Sequence, residues 1–216
     1  MNIFQKFFSL IYSLYINLGI FDLSTAIKLP LLIKYNSKVI GLSRGCIELS
    51  GKINRGMISI GMTRGTLLGE AASPCVLKFG KNGVWKVCNY AWLSGYCVIN
   101  VDGKLETNGF SANSGFKCSC ADHIYIGNDV LIGWDVLIID SDGHNILYGG
   151  VVSNQNKPVI IDDHVWLCAK STIMKGAKIT KGSVVAMGST TTKQFIDDNL
   201  LICNNTDKKH NVSWEH

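Results

Sequence analysis

Aliphatic residues recur at every sixth position through the second half of the chain. Ile126, Ile132 and Ile138 form one run, and Ile161, Leu167, Ile173, Ile179 and Val185 form a second, closed by Thr191. Two residues before each stands a small or β-branched residue: Ile124, Val130, Val136, Val159, Val165, Ser171, Ala177, Ser183 and Ser189. A strand sends residues two apart to the same face, so both registers point inward together. Six residues are then one short strand and one turn. Small residues in one register suit a narrow prism whose stacked coils bury each other's faces. A helix would space its apolar residues by three and four, and Gly127, Gly133, Gly176, Gly182 and Gly188 count against one. The expected fold is all-β, a parallel β-helix over residues 36–195. Residues 1–35 are expected to form an N-terminal amphipathic helical segment, about 140–158 a projecting loop, and 196–216 a C-terminal tail. From Val39 to Leu105 the spacing blurs (Ile47, Ile53, Ile58, Ile60, Leu67, Leu68), which predicts irregular early coils.

Length and composition agree with one domain carrying appendages: 216 residues, 47% apolar, with 22 glycines against 3 prolines. The net charge of +5 comes from scattered Lys and Arg, a poor footprint for nucleic acid though compatible with a small anionic ligand. Eight cysteines lack the C-x-x-C spacing of zinc sites. They read as small core residues of a cytoplasmic protein, with Cys118 and Cys120 on one face of a strand. The first 23 residues are rich in Phe4, Phe7, Phe8, Leu10, Ile11, Leu14, Tyr15, Leu18 and Ile20, but Lys6, Ser9, Ser13 and Asn17 interrupt them. No unbroken apolar run of about 18 residues exists for a membrane span, and no cleavage site follows. An amphipathic helix packed on the body or on a neighbouring subunit is expected, with shallow attachment to the inner face of a membrane as the second reading.

The stretch Ile126-Gly-Asn-Asp-Val-Leu-Ile-Gly-Trp-Asp-Val-Leu-Ile and the run from Pro158 to Lys193 resemble the hexapeptide-repeat acyltransferases. Ala26-Ile-Lys-Leu-Pro30, the Trp134-Asp135 pair and Asp140-Ser-Asp-Gly-His144 look most like the bacterial polysaccharide and lipopolysaccharide O-acetyltransferases. The resemblance implies a left-handed coil, a homotrimer, and acetyl-CoA held between adjacent subunits, without a metal. Handedness rests on the resemblance alone, since the general preference for right-handed crossovers points the other way. The chain departs from the family pattern at Asp162, Cys168 and Met187, and its tail Cys203-Asn-Asn-Thr-Asp-Lys208 lacks the family's proline.

Acyl transfer to a sugar hydroxyl needs a base, because a neutral alcohol is a poor nucleophile. His144, where the period breaks, is the candidate, with Asp142 or Asp140 to orient it. No Gly-x-Ser-x-Gly elbow is present, which favours direct attack in a ternary complex over a covalent acyl-enzyme. By resemblance, the cofactor would touch Trp166, Ala169, Met187, Thr192 and Lys193. Trp134 and Asn113 are acceptor candidates, as an aromatic face that stacks on a sugar and an amide that orients a hydroxyl. Three other readings remain open: a zinc enzyme of the γ-carbonic anhydrase kind using His123, His144 and His164; a catalytically silent trimeric scaffold; and an antibiotic acetyltransferase differing only in its acceptor.

Overall fold

A computed structural model describes residues 3–62 and 74–215, so Leu67 and Leu68 lie outside the described residues. Every position of the two inward registers between Ile124 and Thr191 is buried. Strands pair in parallel with residues 18 positions later: Ile160 with Lys178, Trp166 with Val184, Thr172 with Thr190. Eighteen residues are three hexapeptides, so each coil has three sides. The first face is a seven-stranded sheet running from Lys38–Ile40 through Val98–Val101, Lys117–Cys120 and Leu137–Ile139 to Thr190–Thr191. The second carries His123–Ile126, Val159–Ile161 and Lys178–Ile179; the third carries Val130–Ile132, Trp166–Leu167, Val184–Val185 and Leu201–Cys203. The core is the column of Ile, Val, Leu and Phe inside the prism, closed by small polar residues such as Ser183, whose hydroxyl accepts from the Leu200 amide.

The earlier coils are longer. Val76 pairs with Val98, 22 positions on, and Val98 with Lys117, 19 positions on. The ten-residue strand Val84–Leu93 turns a corner without breaking, pairing through Trp85 on the second face and through Ala91 on the third. Additional corner residues and shared strands erase the strict period without changing the coil.

The N-terminal helix, α1 (Ile3–Ile20), packs the opposite way round from its apolar pattern. Its buried residues are Ser9, Ser13, Ile16, Asn17 and Ile20, whereas Phe4, Phe7, Ile11 and Tyr15 are exposed. The cause is β1 (Leu31–Ile33), the first strand of the third face, whose outer edge has no strand beside it among the described residues. Ser9 Oγ accepts from Tyr35 N, Ser13 Oγ accepts from Ile33 N and donates to Ile33 O, and Asn17 accepts from Leu31 N and donates to Leu31 O. Four helical residues rise about 6 Å and two strand residues about 6.6 Å. The i, i+4 stripe therefore meets alternate edge residues in step, with α1 antiparallel to β1. The contact with the body is made through this polar stripe together with Ile16 and Ile20: an edge strand needs donors and acceptors, and the stripe supplies them.

At the other end, Leu201–Cys203 folds into an antiparallel hairpin with Thr206–Lys209. The tail then returns along the prism, so that Trp214 stacks on His164 with ring centroids 4.2 Å apart.

Candidate functional site

Leu137 pairs with Thr172, 35 positions later, so 17 residues leave the coil at the corner between the first and second faces. They form a projecting loop from Ser141 to Lys157 with a small hairpin, Leu147–Tyr148 against Val151–Val152, near its tip. His144 lies exposed at the base of this loop.

Four side chains fix that base. Asp140, fully buried, accepts from the Ala121 and Asp122 amides at 2.8 Å each, tying the loop's departure to the coil below. Asp142 accepts from Lys175 Nζ at 2.5 Å and from Asn154 Nδ2 at 2.8 Å. The Lys175 hydrogen bond, followed by that of Asn154, holds the Asp142 carboxyl below the ordinary carboxylate range. Asn154 also donates to the His144 carbonyl at 2.7 Å and accepts from the Ile146 amide, closing the loop across its neck. Both carboxylates thus hold backbone or loop. Among the described residues neither is hydrogen-bonded to the His144 imidazole, and Asp142 is linked to the His144 backbone through Asn154.

Beneath the loop lies a cleft of about 400 Å³ whose walls include Asn100, Asp102, Ser119, Ser141, His144 and Asn156. Hydroxyls, amides and the carboxylates of Asp102 and Asp142 predominate. The Asn100 amide donates to Asp102 at 2.9 Å, and among the described residues its buried Oδ1 has no hydrogen-bond partner. Such a lining offers donors and acceptors in the density that a hydroxyl-rich ligand requires.

The candidate cofactor and acceptor residues divide between two corners. Thr192 and Lys193 sit at the corner of the first and second faces, with Lys193 18 positions beyond Lys175 and its Nζ 5.3 Å from the Phe195 ring. Asn113, Trp134, Ala169 and Met187 lie at the opposite edge of the first face, where it meets the third. There Asn113 N donates to Ile132 O, Lys170 N to Trp134 O, and Gly188 N to Ala169 O, one coil to the next. Met187 is 71% exposed, and a Cβ on Gly188 would meet nothing within 4 Å, so this corner is open to a ligand. Trp166 points outward from the third face, 6.0 Å from Trp214. One chain therefore does not bring His144 and the Ala169–Met187 corner together.

The three histidines stand apart. His123 pairs with Glu106 on the second face at 2.8 Å. His164 occupies a left-handed turn (φ 53), bonded to Asp129 at 2.7 Å and covered by Trp214. Among the described residues, no three His, Cys, Asp or Glu side chains are arranged to hold a metal. All eight cysteines are free thiols. Burial pushes Cys168, at the edge of the open corner, up to about 11, which keeps it protonated and poorly nucleophilic at neutral pH.

Lys175, Asn154, Asn100 and Ser119 were not anticipated from the sequence. A signal for Lys175 does exist: Ile139 pairs with Met174, so Lys175 stacks on Asp140, the residue where the loop departs.

No protein-family model matches the chain. It is 33% identical over 108 residues to the galactoside O-acetyltransferase of Lactococcus lactis subsp. lactis (strain IL1403). That match covers 47% of this chain and 50% of the relative, so the chain spans about half the length of the curated relative it matches. Among solved structures, the polySia-specific acetyltransferase NeuO is similar with a TM-score of 0.60 at 23% identity, covering 87% of this chain and 79% of that one. The polysialic acid O-acetyltransferase OatWY is similar with a TM-score of 0.57 at 21% identity, covering 86% and 87%. The fold is that of the hexapeptide-repeat acetyltransferases. Within this left-handed β-helix, the departures at Cys168 and Met187 are accommodated at the corner: Met187 points into solvent and Cys168 packs half-buried beside it.

Proposed function

We propose that the protein transfers an acetyl group from acetyl-CoA to a hydroxyl of a surface polysaccharide or its sugar precursor, with His144 as general base. The observation that carries this reading is the polar cleft at the loop base. It combines an exposed imidazole, whose backbone is held by Asn154, with hydroxyl and amide walls suited to a carbohydrate. The similarity to galactoside and polysialic acid O-acetyltransferases supports the same class of acceptor.

The thioester supplies an activated acyl group. His144 takes the proton of the acceptor hydroxyl as its oxygen attacks the thioester carbonyl, then returns that proton to the departing thiolate sulfur. Direct attack fits the protonated state of Cys168. Lys175 and Asn154 set the imidazole's position through the loop, and such positioning supplies much of the acceleration in two-substrate transfer. Trp166, Ala169, Met187, Thr192 and Lys193 would hold the cofactor. Because they are divided between two corners and the third face of one prism, we infer that the working unit is a homotrimer in which the His144 corner of one chain faces the Ala169–Met187 corner of the next.

Incubation with acetyl-CoA and a panel of surface-polysaccharide sugars, sialic acid polymers and galactosides, followed by mass spectrometry, tests the reading. A gain of one acetyl group per modified sugar supports it. Acetyl-CoA binding without transfer to any saccharide would overturn the acceptor class, and no binding at all would favour the silent scaffold.

A further inference from the structure

The chain holds 21 Lys and Arg against 16 Asp and Glu. Residues 1–60 contain seven of the former and only Asp22 and Glu48 of the latter, so the remaining 156 residues balance at 14 of each sign. The entire excess of positive charge lies in α1 and the coils next to it. Its two carboxylates are occupied: Asp22 accepts from Ser24 and Thr25, and Glu48 pairs with Lys86 at 3.3 Å.

At this same end, α1 turns its apolar stripe outward, away from β1 and along the prism axis. Phe4, Phe7, Phe8, Ile11 and Leu14 are 40–70% exposed. Beside them a groove of about 660 Å³ runs between α1 and the first coils, with Ile3, Phe7, Leu10 and Leu32 as walls and Lys6 and Arg55 among them. By length and composition α1 could cross a bilayer. Its Ser9, Ser13 and Asn17 side chains, however, are bonded to the β1 edge, so in this fold it lies across the end of the prism.

We propose that this end of the molecule docks on an anionic phospholipid surface. Phe4, Phe7, Ile11 and Leu14 enter the boundary between headgroups and acyl chains, while Lys6 and Arg55 meet lipid phosphates. A second copy docked through the same face would set like charges against each other, whereas an anionic bilayer complements both the apolar stripe and the surrounding cations. Polar residues that face the protein and apolar ones that face outward invert the usual surface helix, and lipid supplies the apolar partner that inversion requires.

The test is cosedimentation of the full chain with phosphatidylcholine vesicles, with and without phosphatidylglycerol. Wild type should sediment with the anionic vesicles and stay in solution with the neutral ones. Lys6→Gln with Arg55→Gln should lower partitioning about 25-fold, from about fivefold per cation near an anionic surface. Phe7→Ser with Ile11→Ser should abolish binding while leaving the circular dichroism spectrum and the mass by light scattering unchanged. Wild type that ignores anionic vesicles, or binds both kinds equally, would overturn the proposal. A fall in oligomer mass in the Phe7/Ile11 variant would assign the face to a second copy instead. None of these readouts involves acetyl transfer, so they stand or fall separately from the enzymatic reading.

Discussion

Asn17→Leu separates the structural account from a hydrophobic-pattern account by the sign of its effect. Asn17 is fully buried on an apolar helix, and pattern alone predicts that leucine there stabilises by up to about 2 kcal/mol through burial. In the fold, Asn17 is the partner of both Leu31 N (3.2 Å) and Leu31 O (2.7 Å), on a β1 residue that is itself fully buried. Leucine leaves one donor and one acceptor without partners. At about 1–3 kcal/mol each, the loss is about 2–6 kcal/mol. After the apolar gain, the net destabilisation is about 2 kcal/mol. For a chain of this size that lowers Tm by about 4–8 °C. Thermal unfolding at fixed protein concentration reads the shift, because the Tm of a self-associating chain depends on concentration. Leu14→Asn, on the exposed side of the same helix, is the control and should stay within about 0.5 kcal/mol. An Asn17→Leu protein as stable as wild type would refute the edge-capping role of α1.

Two glycines, each preceded by aspartate, carry different expected costs. Gly103→Ala would place its Cβ 2.2 Å from the Asp122 carbonyl oxygen and should destabilise by more than about 2 kcal/mol, whereas Gly143→Ala meets nothing within 4 Å and should cost only the left-handed penalty of about 1–2 kcal/mol; urea unfolding ranks them. Lys175→Met frees Asp142 and should increase proteolytic cleavage between residues 145 and 156, with kcat falling roughly 10- to 100-fold and acetyl-CoA binding unchanged. The Asp142 carboxyl is depressed when folded, so its anchoring contribution is present above the unfolded carboxylate value of about 3.9 and disappears only as pH falls through the lower folded value. Loop protection should therefore persist at about pH 4.5 in wild type, and be absent at every pH in Lys175→Met.

The later coils were legible because nothing dilutes their period on either side of the projecting loop: three hexapeptides close one turn, and the inward positions from Ile124 to Ile138 and from Val159 to Thr191 obey it. The early coils were not, because steps of 19 and 22 residues and the shared strand Val84–Leu93 break the register that a linear count detects. Ser9, Ser13 and Asn17 were visible as interruptions of an apolar helix. Their i, i+4 spacing was itself the message, since it matches alternate residues of an edge strand, but that strand is not adjacent in sequence. His144 stood out through its motif and its place at the break in the period. Lys175 and Asn154, which set the loop, become neighbours of Asp142 only when coils stack and the loop closes on itself. Only side-chain chemistry marks Asn113 and Trp134 in the sequence, and they fall at the corner opposite the His144 loop, away from the walls of the cleft.

The most direct test of the central claim is acceptor-dependent release of free CoA by wild type and His144→Ala, with acetyl-CoA binding followed in parallel by calorimetry. The account predicts that the variant binds acetyl-CoA as wild type does and loses about 10²- to 10⁴-fold in turnover, the contribution of a positioned general base. Turnover in the variant equal to wild type would contradict the assignment of His144.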